Sequence, residues 1–382
     1  MPMLIGTCGK YRVYRRMLTG GSNAVRHSMP YLRAAGAQAR ERLIKAGAER
    51  WNVTPDECYA DYGRVYHRPT NRSLNFGAIA ADAARVSVAR VETKSPRDFD
   101  LLGLATPRLD TPSKVDGSAQ FSIDVRLPDM VYAAVAHCPV AGGKLRGFRF
   151  NAVRHRRGVR QAVRLDNGVA IVADSWWQAK TAVEEMPIDW DIPSEYENFY
   201  SDTAQRAFVG ALGQSGAVVV AEGDAERVMD EAVESIESDY SVPYLSHACM
   251  EPLNCTAHVG DDRVDVWAGV QNPEAALMAA ADVTGIAPEN VYVHNAFLGG
   301  GFGRRSHTDY VREAVEIARA VGRPVQMIWS RDEDSRAGRY RPMAAIRFKA
   351  GFDLSGNVIA YTNHSVSLLF SATRPEVCRR WH

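Results

Sequence analysis

Apolar and polar positions follow two rhythms along this chain, and the two meet over residues 291–330. Residues 291–298 are rich in β-branched and aromatic side chains and predict a strand. After Gly299-Gly300-Gly301-Phe302-Gly303 and two arginines, apolar residues fall at Val311, Ala314, Val315, Ala318 and Val321, which is one face of a helix. Ser306 with Asp309 has the pattern of a capping box, and Gly322 and Pro324 stop the helix. Residues 325–329 predict the next strand. The stretch is a βαβ unit with a glycine-rich loop at the carboxyl end of its first strand.

The same rhythms outline the rest of the chain. A helix is predicted over 30–48, with Ser28 before Pro30 as its start signal, and Gly20-Gly21-Ser22 form a turn ahead of it. Short strands alternate with turns over 51–76, and 75–86 predicts another helix. Three prolines mark 95–114 as a linker. Strands are predicted at 119–125, 130–137, 159–165, 169–172 and 188–190, with a helix at 176–185. The interleaving of many strands with few helices favours α+β packing. Residues 193–213 read as a polar surface connection. Beyond them come a helix at 224–232, a strand at 234–242, a turn at 244–247, and a hairpin from 255–259 to 263–270. Asn272-Pro273 then opens a helix that Gly285 ends.

Composition narrows the classes. With 382 residues the chain is long enough for two or three domains. The 46 basic residues match 45 acidic ones, which argues against nucleic acid or an anionic membrane as partner. Six scattered cysteines do not build a disulfide framework. No apolar run approaches the roughly 18–20 residues of a membrane span, and residues 1–16 lack the apolar core of a signal peptide.

Candidate chemistry gathers at strand ends. Four glycines among residues 299–303 leave backbone N–H groups uncovered beside a helix N-terminus, where an anion can bind. Arg304 and Arg305 add fork-shaped donors suited to phosphate. The loop has neither the Gly-Lys-Ser/Thr of a phosphate loop nor the third glycine of a dinucleotide fingerprint, so a tight turn without ligand is the competing reading. Gln271 ends the preceding strand at the equivalent place, and ligands of open α/β sheets bind beyond such ends. Gly20, Gly21 and Ser22 are a second small-residue turn that either cradles an anion or merely reverses the chain. His247, Cys249, Cys255 and His258 match no common structural zinc spacing. No Gly-x-Ser-x-Gly elbow is present. The run Arg331-Asp332-Glu333-Asp334 reads as a solvated turn.

Taken together, several motifs resemble those of the molybdenum hydroxylases of the xanthine oxidase family. They are Gly299-Gly300-Gly301-Phe302-Gly303-Arg304-Arg305, Gln271, and Arg331-Asp332-Glu333-Asp334. Two further stretches, residues 108–117 and His247-Ala248-Cys249-Met250-Glu251-Pro252, bring the resemblance closer to the large subunit of isoquinoline 1-oxidoreductase and related aldehyde dehydrogenases. It spans about residues 18–361. The resemblance implies an α+β chain with an N-terminal molybdopterin-binding segment (1–102), a hammerhead-like domain (103–214, its elements between 115 and 191) and part of a molybdopterin-binding domain (215–382). It implies molybdopterin cytosine dinucleotide as cofactor. Gln271 and Phe302 would stand at the reacting centre, and Gly299, Gly300, Gly301, Gly303 and Arg304 would line the cofactor. Gly20, Gly21 and Ser22 would hold its pyrophosphate. The implied reaction is hydroxylation of an N-heterocycle or aldehyde with oxygen from water. Electrons would leave through a small 2Fe–2S subunit, with a cytochrome c as acceptor.

That reaction needs a carboxylate base. In the family it is a glutamate in a Gly-x-Gly-Glu motif, which this chain does not contain. Glu251 and Glu333 are the carboxylates nearest the motifs, and spacing assigns the role to neither. The expectation is therefore a fragment, with a catalytically incomplete cofactor-binding piece as the alternative and a plain nucleotide-binding protein as the weaker third. Substrate and compartment, cytoplasmic or periplasmic, stay open, and no twin-arginine leader is visible.

Overall fold

The computed structural model describes residues 17–89, 91–140, 142–194 and 199–367. They fall into two compact units, one of residues 19–119 and the other containing 17–18 and everything from 120 onward. The boundary at 119/120 lies within the stretch expected to form the hammerhead-like domain.

The smaller unit is built on α1 (Asn23–Trp51). It packs on an antiparallel sheet of β1 (Cys58–Asp61), β2 (Arg64–His67) and β3 (Ser73–Asn75), and on α2 (Phe76–Arg85). Ile44, Ala48, Cys58, Val65 and Ile79 form its core. Helix α1 starts seven residues before the expected Pro30, which lies inside it. The first turns of α1 are largely exposed, so water can take the carbonyl that Pro30 leaves without a donor. A short α3 (Thr111–Val115) interrupts the linker.

The larger unit is organised on a seven-stranded sheet. Its strands are β4 (Val131–His137), β6 (Val159–Arg164) and β7 (Gly168–Ala173), then β11 (Asn254–Val259), β12 (Val264–Ala268), β13 (Val291–Asn295) and β14 (Val325–Ile328), in the spatial order β13-β12-β11-β14-β4-β7-β6. The neighbours β12 and β13 are parallel, as are β14 and β4, and the other pairs are antiparallel. The sheet thus joins strands from both sides of the expected 214/215 boundary. Helix α7 (Pro273–Thr284) links β12 to its parallel neighbour β13, and α8 (Asp309–Val321) carries the chain from β13 across two strands to β14.

Period-two burial sorts the two faces. Val131, Ala133 and Val135 join the core that α7 and α8 cover, where Val311, Ala314, Val315 and Ala318 have no exposed surface. Ala134 points the other way, toward α4 (Trp176–Glu185) and its Ala179, Ala182 and Val183. Beside the sheet, β5 (Lys144–Phe148) pairs with β8 (Ile188–Asp191). A separate antiparallel sheet of β9 (Glu234–Val242), β16 (Ala344–Phe352) and β17 (Val358–Ser367) packs against α5 (Ser201–Ala211) and α6 (Ala225–Asp230). Two-residue strands β10 (Leu245–Ser246) and β15 (Tyr340–Arg341) pair with each other, and α9 (Arg331–Ala337) follows β14.

Four expectations are corrected. Residues 119–125 are not a strand beyond one bridge from Phe121 to Phe297, because the backbone around Ile123 is turned to serve Glu251 and Gln326. The supposed surface connection contains α5, whose Ala204, Phe208 and Leu212 do keep helical spacing. Helix α8 is capped at Thr308 rather than Ser306, and Asp309 pairs with Arg304 instead of closing a capping box. The acidic run is not a solvated turn but helix α9, with Glu333 and Asp334 buried.

Candidate functional site: a glycine loop held from behind

The parallel pairing of β12 and β13 brings their carboxyl ends to one edge, as the strand-end reading expected. The Asn295 Oδ1 accepts from the Val270 N–H at 3.1 Å and ties the two exits together. Gln271 follows directly, and Asn272 caps α7 by accepting from the Ala275 N–H at 3.1 Å. From Asn295 the chain runs through the glycine loop into a single 3-10 turn, Arg304–Ser306, before α8.

The protein engages this loop through the carbonyls of Gly299, Gly300 and Gly301 and through the N–H groups at its two ends. The Gly299 carbonyl accepts from the Glu251 N–H at 3.0 Å, the Gly300 carbonyl from Arg305 Nε at 2.9 Å, and the Gly301 carbonyl from the Arg304 N–H at 2.8 Å. The Gly299 N–H donates to Glu251 Oε2 at 2.8 Å and the Gly303 N–H to Gln271 Oε1 at 3.0 Å. Between them, the N–H groups of Gly300, Gly301 and Phe302 have no hydrogen-bond partner among the described residues. Gly300, Phe302 and Gly303 all lie at positive φ, 103°, 51° and 99°. Such a conformation is unusual for a phenylalanine, and the Phe302 ring is 68% exposed. The glycines are also needed for space. A Cβ on Gly299 would stand 2.5 Å from the Cβ of Glu251, and one on Gly301 would stand 2.7 Å from Gln271 Oε1.

Behind the loop sits a buried ion pair that the sequence did not reveal. Oε1 of Glu251 accepts from Ser122 Oγ, the Ile123 N–H and Asn254 Nδ2, while Oε2 accepts from the Gly299 N–H and from Arg305 Nη2 at 2.9 Å. Arg305 has no exposed surface and also donates to the carbonyls of Gly269, Gly300 and Glu251. Arg304 is equally buried. Its guanidinium forms a two-pronged pair with Asp309 at 2.8 and 3.0 Å and lies over the Trp329 ring. Burial, the largest single influence, would raise the Asp309 carboxyl, but the charge and hydrogen bonds of Arg304 together with the Arg339 charge and the Tyr310 N–H outweigh it and hold the group below its usual range. Of the two arginines, expected to offer their side chains to a phosphate, Arg305 holds the loop from inside through the Gly300 carbonyl, and the Arg304 guanidinium is engaged with Asp309.

A third support comes from residues 247–250. Ala248 is left-handed at φ 44°, and the Cys249 thiol, whose ionisation burial opposes, lies 3.6 Å from the Gly301 carbonyl. Arg331 on α9 donates to the carbonyls of Cys249 and Met250. Burial pushes His247 below its ordinary value, and burial with the Arg339 charge does the same at His307, so both imidazoles are neutral near pH 7. Neither carboxylate singled out from the sequence is available as a base: Glu251 is consumed by five donors, and Glu333 is bound to His137.

Gly20, Gly21 and Ser22 belong to the smaller unit, at the N-terminus of α1. Gly21 and Ser22 are left-handed at φ 61° and 53°, and the Asn23 N–H closes the turn on the Gly20 carbonyl. Of the zinc candidates, Cys255 lies in the core and His258 is exposed; no group of three or more metal-binding side chains occurs among the described residues. Nor is any described helix long and apolar enough to cross a membrane.

The family model for the molybdopterin cofactor-binding domain matches residues 212–369, which include Gln271 and the whole loop. The chain is 28% identical to the beta chain of the isoquinoline 1-oxidoreductase of Brevundimonas diminuta, over 93% of its own length and 52% of the relative's. It is 26% identical to the membrane-bound aldehyde dehydrogenase (pyrroloquinoline-quinone) of Gluconacetobacter polyoxogenes, over 90% of this chain and 46% of that one. Among solved structures, the aldehyde oxidoreductase of Desulfovibrio gigas shares the fold with a TM-score of 0.56 at 17% identity, covering 68% of this chain and 34% of that one. Quinoline 2-oxidoreductase from Pseudomonas putida 86 does so with a TM-score of 0.53 at 18% identity, covering 68% and 38%. The chain spans about half the length of the two sequence relatives. Residues 212–369 therefore match the molybdopterin cofactor-binding domain, and over most of its length the chain is similar to the isoquinoline 1-oxidoreductase beta subunit and shares its fold with molybdenum-enzyme chains of known structure.

Proposed function

We propose that this chain binds a molybdopterin cofactor, in its cytosine dinucleotide form, as part of the large subunit of an oxidoreductase that hydroxylates an N-heterocycle or an aldehyde. The observation that carries the reading is the row of three N–H groups at Gly300, Gly301 and Phe302 that take no partner among the described residues, on a loop whose carbonyls are bound by the protein. Adjacent N–H groups at alternating backbone handedness make a concavity for an anionic, oxygen-rich ligand. The fit is also steric, since any Cβ at Gly301 would intrude on Gln271. When bound, the cofactor supplies a metal centre that accepts two electrons as an electron-poor carbon takes up oxygen from water.

The chain's own residues would bind and orient. Gln271 presents its carbonyl end to Gly303, which fixes the rotamer of the amide beside the loop. Phe302 holds an exposed ring over the mouth as a wall for a planar substrate. Gly299 shapes the floor, Arg304 supports the loop through the Gly301 carbonyl, and Gly20, Gly21 and Ser22 offer a second anion cradle for the pyrophosphate. Residues 103–214 contribute a hammerhead-like part, and electrons leave through a small 2Fe–2S subunit toward a cytochrome c. The occupied state of Glu251 and Glu333 favours a second reading for these residues taken alone, in which they bind the cofactor without supplying the base.

The test is molybdenum and cytidine nucleotide content after purification from a host that makes the cofactor. Near-stoichiometric metal with released CMP is expected. Folded protein carrying neither overturns the reading, and nucleotide without metal supports a plain nucleotide-binding protein instead.

A further inference from the structure

The last residue of β4, His137, is buried between two carboxylates that come from different helices. Its Nε2 lies 2.8 Å from Glu313 on α8, and its Nδ1 and backbone N–H lie 2.9 and 2.7 Å from Glu333 on α9. Its ring also packs on Trp329, with centroids 4.4 Å apart. Trp329 in turn donates from Nε1 to the second oxygen of Glu313 at 3.0 Å, and its ring carries the Arg304 guanidinium. On the other side, α9 brings Arg331 to the carbonyls of Cys249 and Met250. Two walls of the glycine loop therefore meet at one imidazole: Trp329 with Arg304, and α9 with the 249–250 segment.

We propose that His137 is a positioning residue for the glycine loop, a clamp that holds both walls against it by bridging Glu313 and Glu333. The importance of this clamp for cofactor retention rests on the functional reading above, whereas the clamp itself does not. The geometry suits the imidazolium, whose two N–H groups can donate to both carboxylates at once. Burial alone would favour the neutral ring, but the two carboxylates, Glu313 foremost, outweigh it and hold the pKa at about 10. Other charges around the cluster include Arg336, which pairs with Glu333 at 3.2 Å, Arg304 beyond Trp329, and Glu316, which lies near Glu313 on α8; Gly168, opposite on β7, adds none. Without the imidazolium, two buried carboxylates would face each other across the neutral ring, and one helix or the other must yield.

The experiment compares amide hydrogen exchange in the full chain, wild type against His137→Gln, at the hydrogen-bonded amides of Gly299, Gly303 and Arg304 in the loop and of Glu251 in the 249–251 segment, with the β16–β17 hairpin as internal control. Exchange at both loop segments should rise about tenfold while the hairpin is unchanged. The charge-balanced double variant His137→Gln/Glu313→Gln should restore most of the protection, which a merely space-filling role would not predict. Should His137→Gln fail to fold, Glu333→Gln is read in the same way and should release 249–251 selectively. Unchanged exchange at the loop, or a uniform rise that includes the hairpin, overturns the clamp. Molybdenum content measured on the same samples separates the two proposals: selective loosening in a wild-type chain that binds no metal keeps the clamp and removes the cofactor reading.

Discussion

At the scale of single residues, Glu251 and Arg305 fix the glycine loop by taking the Gly299 N–H and the Gly300 carbonyl. Removing one partner of a buried ion pair leaves the other charge stranded, a cost of about 3–5 kcal/mol. Glu251→Ala should therefore lower urea stability by about that amount, because Arg305 and four other donors lose their acceptor together. Gly301→Ala is expected to act differently. Its backbone is not left-handed, so the fold should survive with little change in melting temperature, while the new methyl displaces Gln271 and breaks the bond to Gly303. Metal content should then fall without loss of folded protein, and retention of full metal content would contradict the assigned place of the loop. That Gln271 and the glycine loop come together was legible, because both lie at the carboxyl ends of strands. Glu251 and Arg305 were not, since the contact joins positions 54 apart and charged residues ordinarily face water. The available signal was His247-Ala248-Cys249-Met250-Glu251-Pro252 itself, whose glutamate spacing alone could not assign.

At the scale of elements, the helices most clearly written in the sequence are those with both a cap and a periodic face. In α7 the Asn272-Pro273 start and the left-handed Gly285 stop both appear where expected. Asn272→Ala should cost about 1 kcal/mol in denaturant unfolding. The same change should loosen the segment that begins with Gln271, which hydrogen exchange at residues 270–272 would show. Helix α5 escaped notice because its apolar side chains are few, and none of its own residues is fully buried. Residues 119–125 misled for the opposite reason: their composition suits a strand, but their backbone groups are taken by Glu251 and Gln326 instead of a neighbouring strand. The crossing of α8 over two strands to β14 follows from pairings far apart in sequence, and no local pattern encodes it.

At the scale of the whole molecule, His137 ties stability to pH. Its ordinary pKa in an unfolded chain is about 6.5, and in the fold it is held at about 10. The folded state therefore binds the proton more tightly. The stabilisation is fully present below about pH 6.5 and is lost as pH rises through about 10. Urea midpoints measured across that window should decline in the wild type more steeply than in His137→Gln, and parallel curves would remove His137 as the cause. The class of fold was readable from the mixture of strand and helix rhythms, whereas the union of β4, β6 and β7 with β11–β14 in one sheet was not, because it depends on pairings that only the finished chain can make.

The distance spanned by that sheet also bears on how the protein is made. The partners His137 and Glu333 are separated by 196 residues, and β4 meets β14 over a similar interval. A ribosome adds roughly 5–20 residues per second, so β4 waits on the order of 10–40 s with one edge unpaired before its neighbour leaves the exit tunnel. During that time the nascent chain carries an open, apolar strand edge of the kind that recruits chaperones or other strands. The yield of soluble protein should consequently respond to translation speed and chaperone supply more than the stability of the finished fold would suggest.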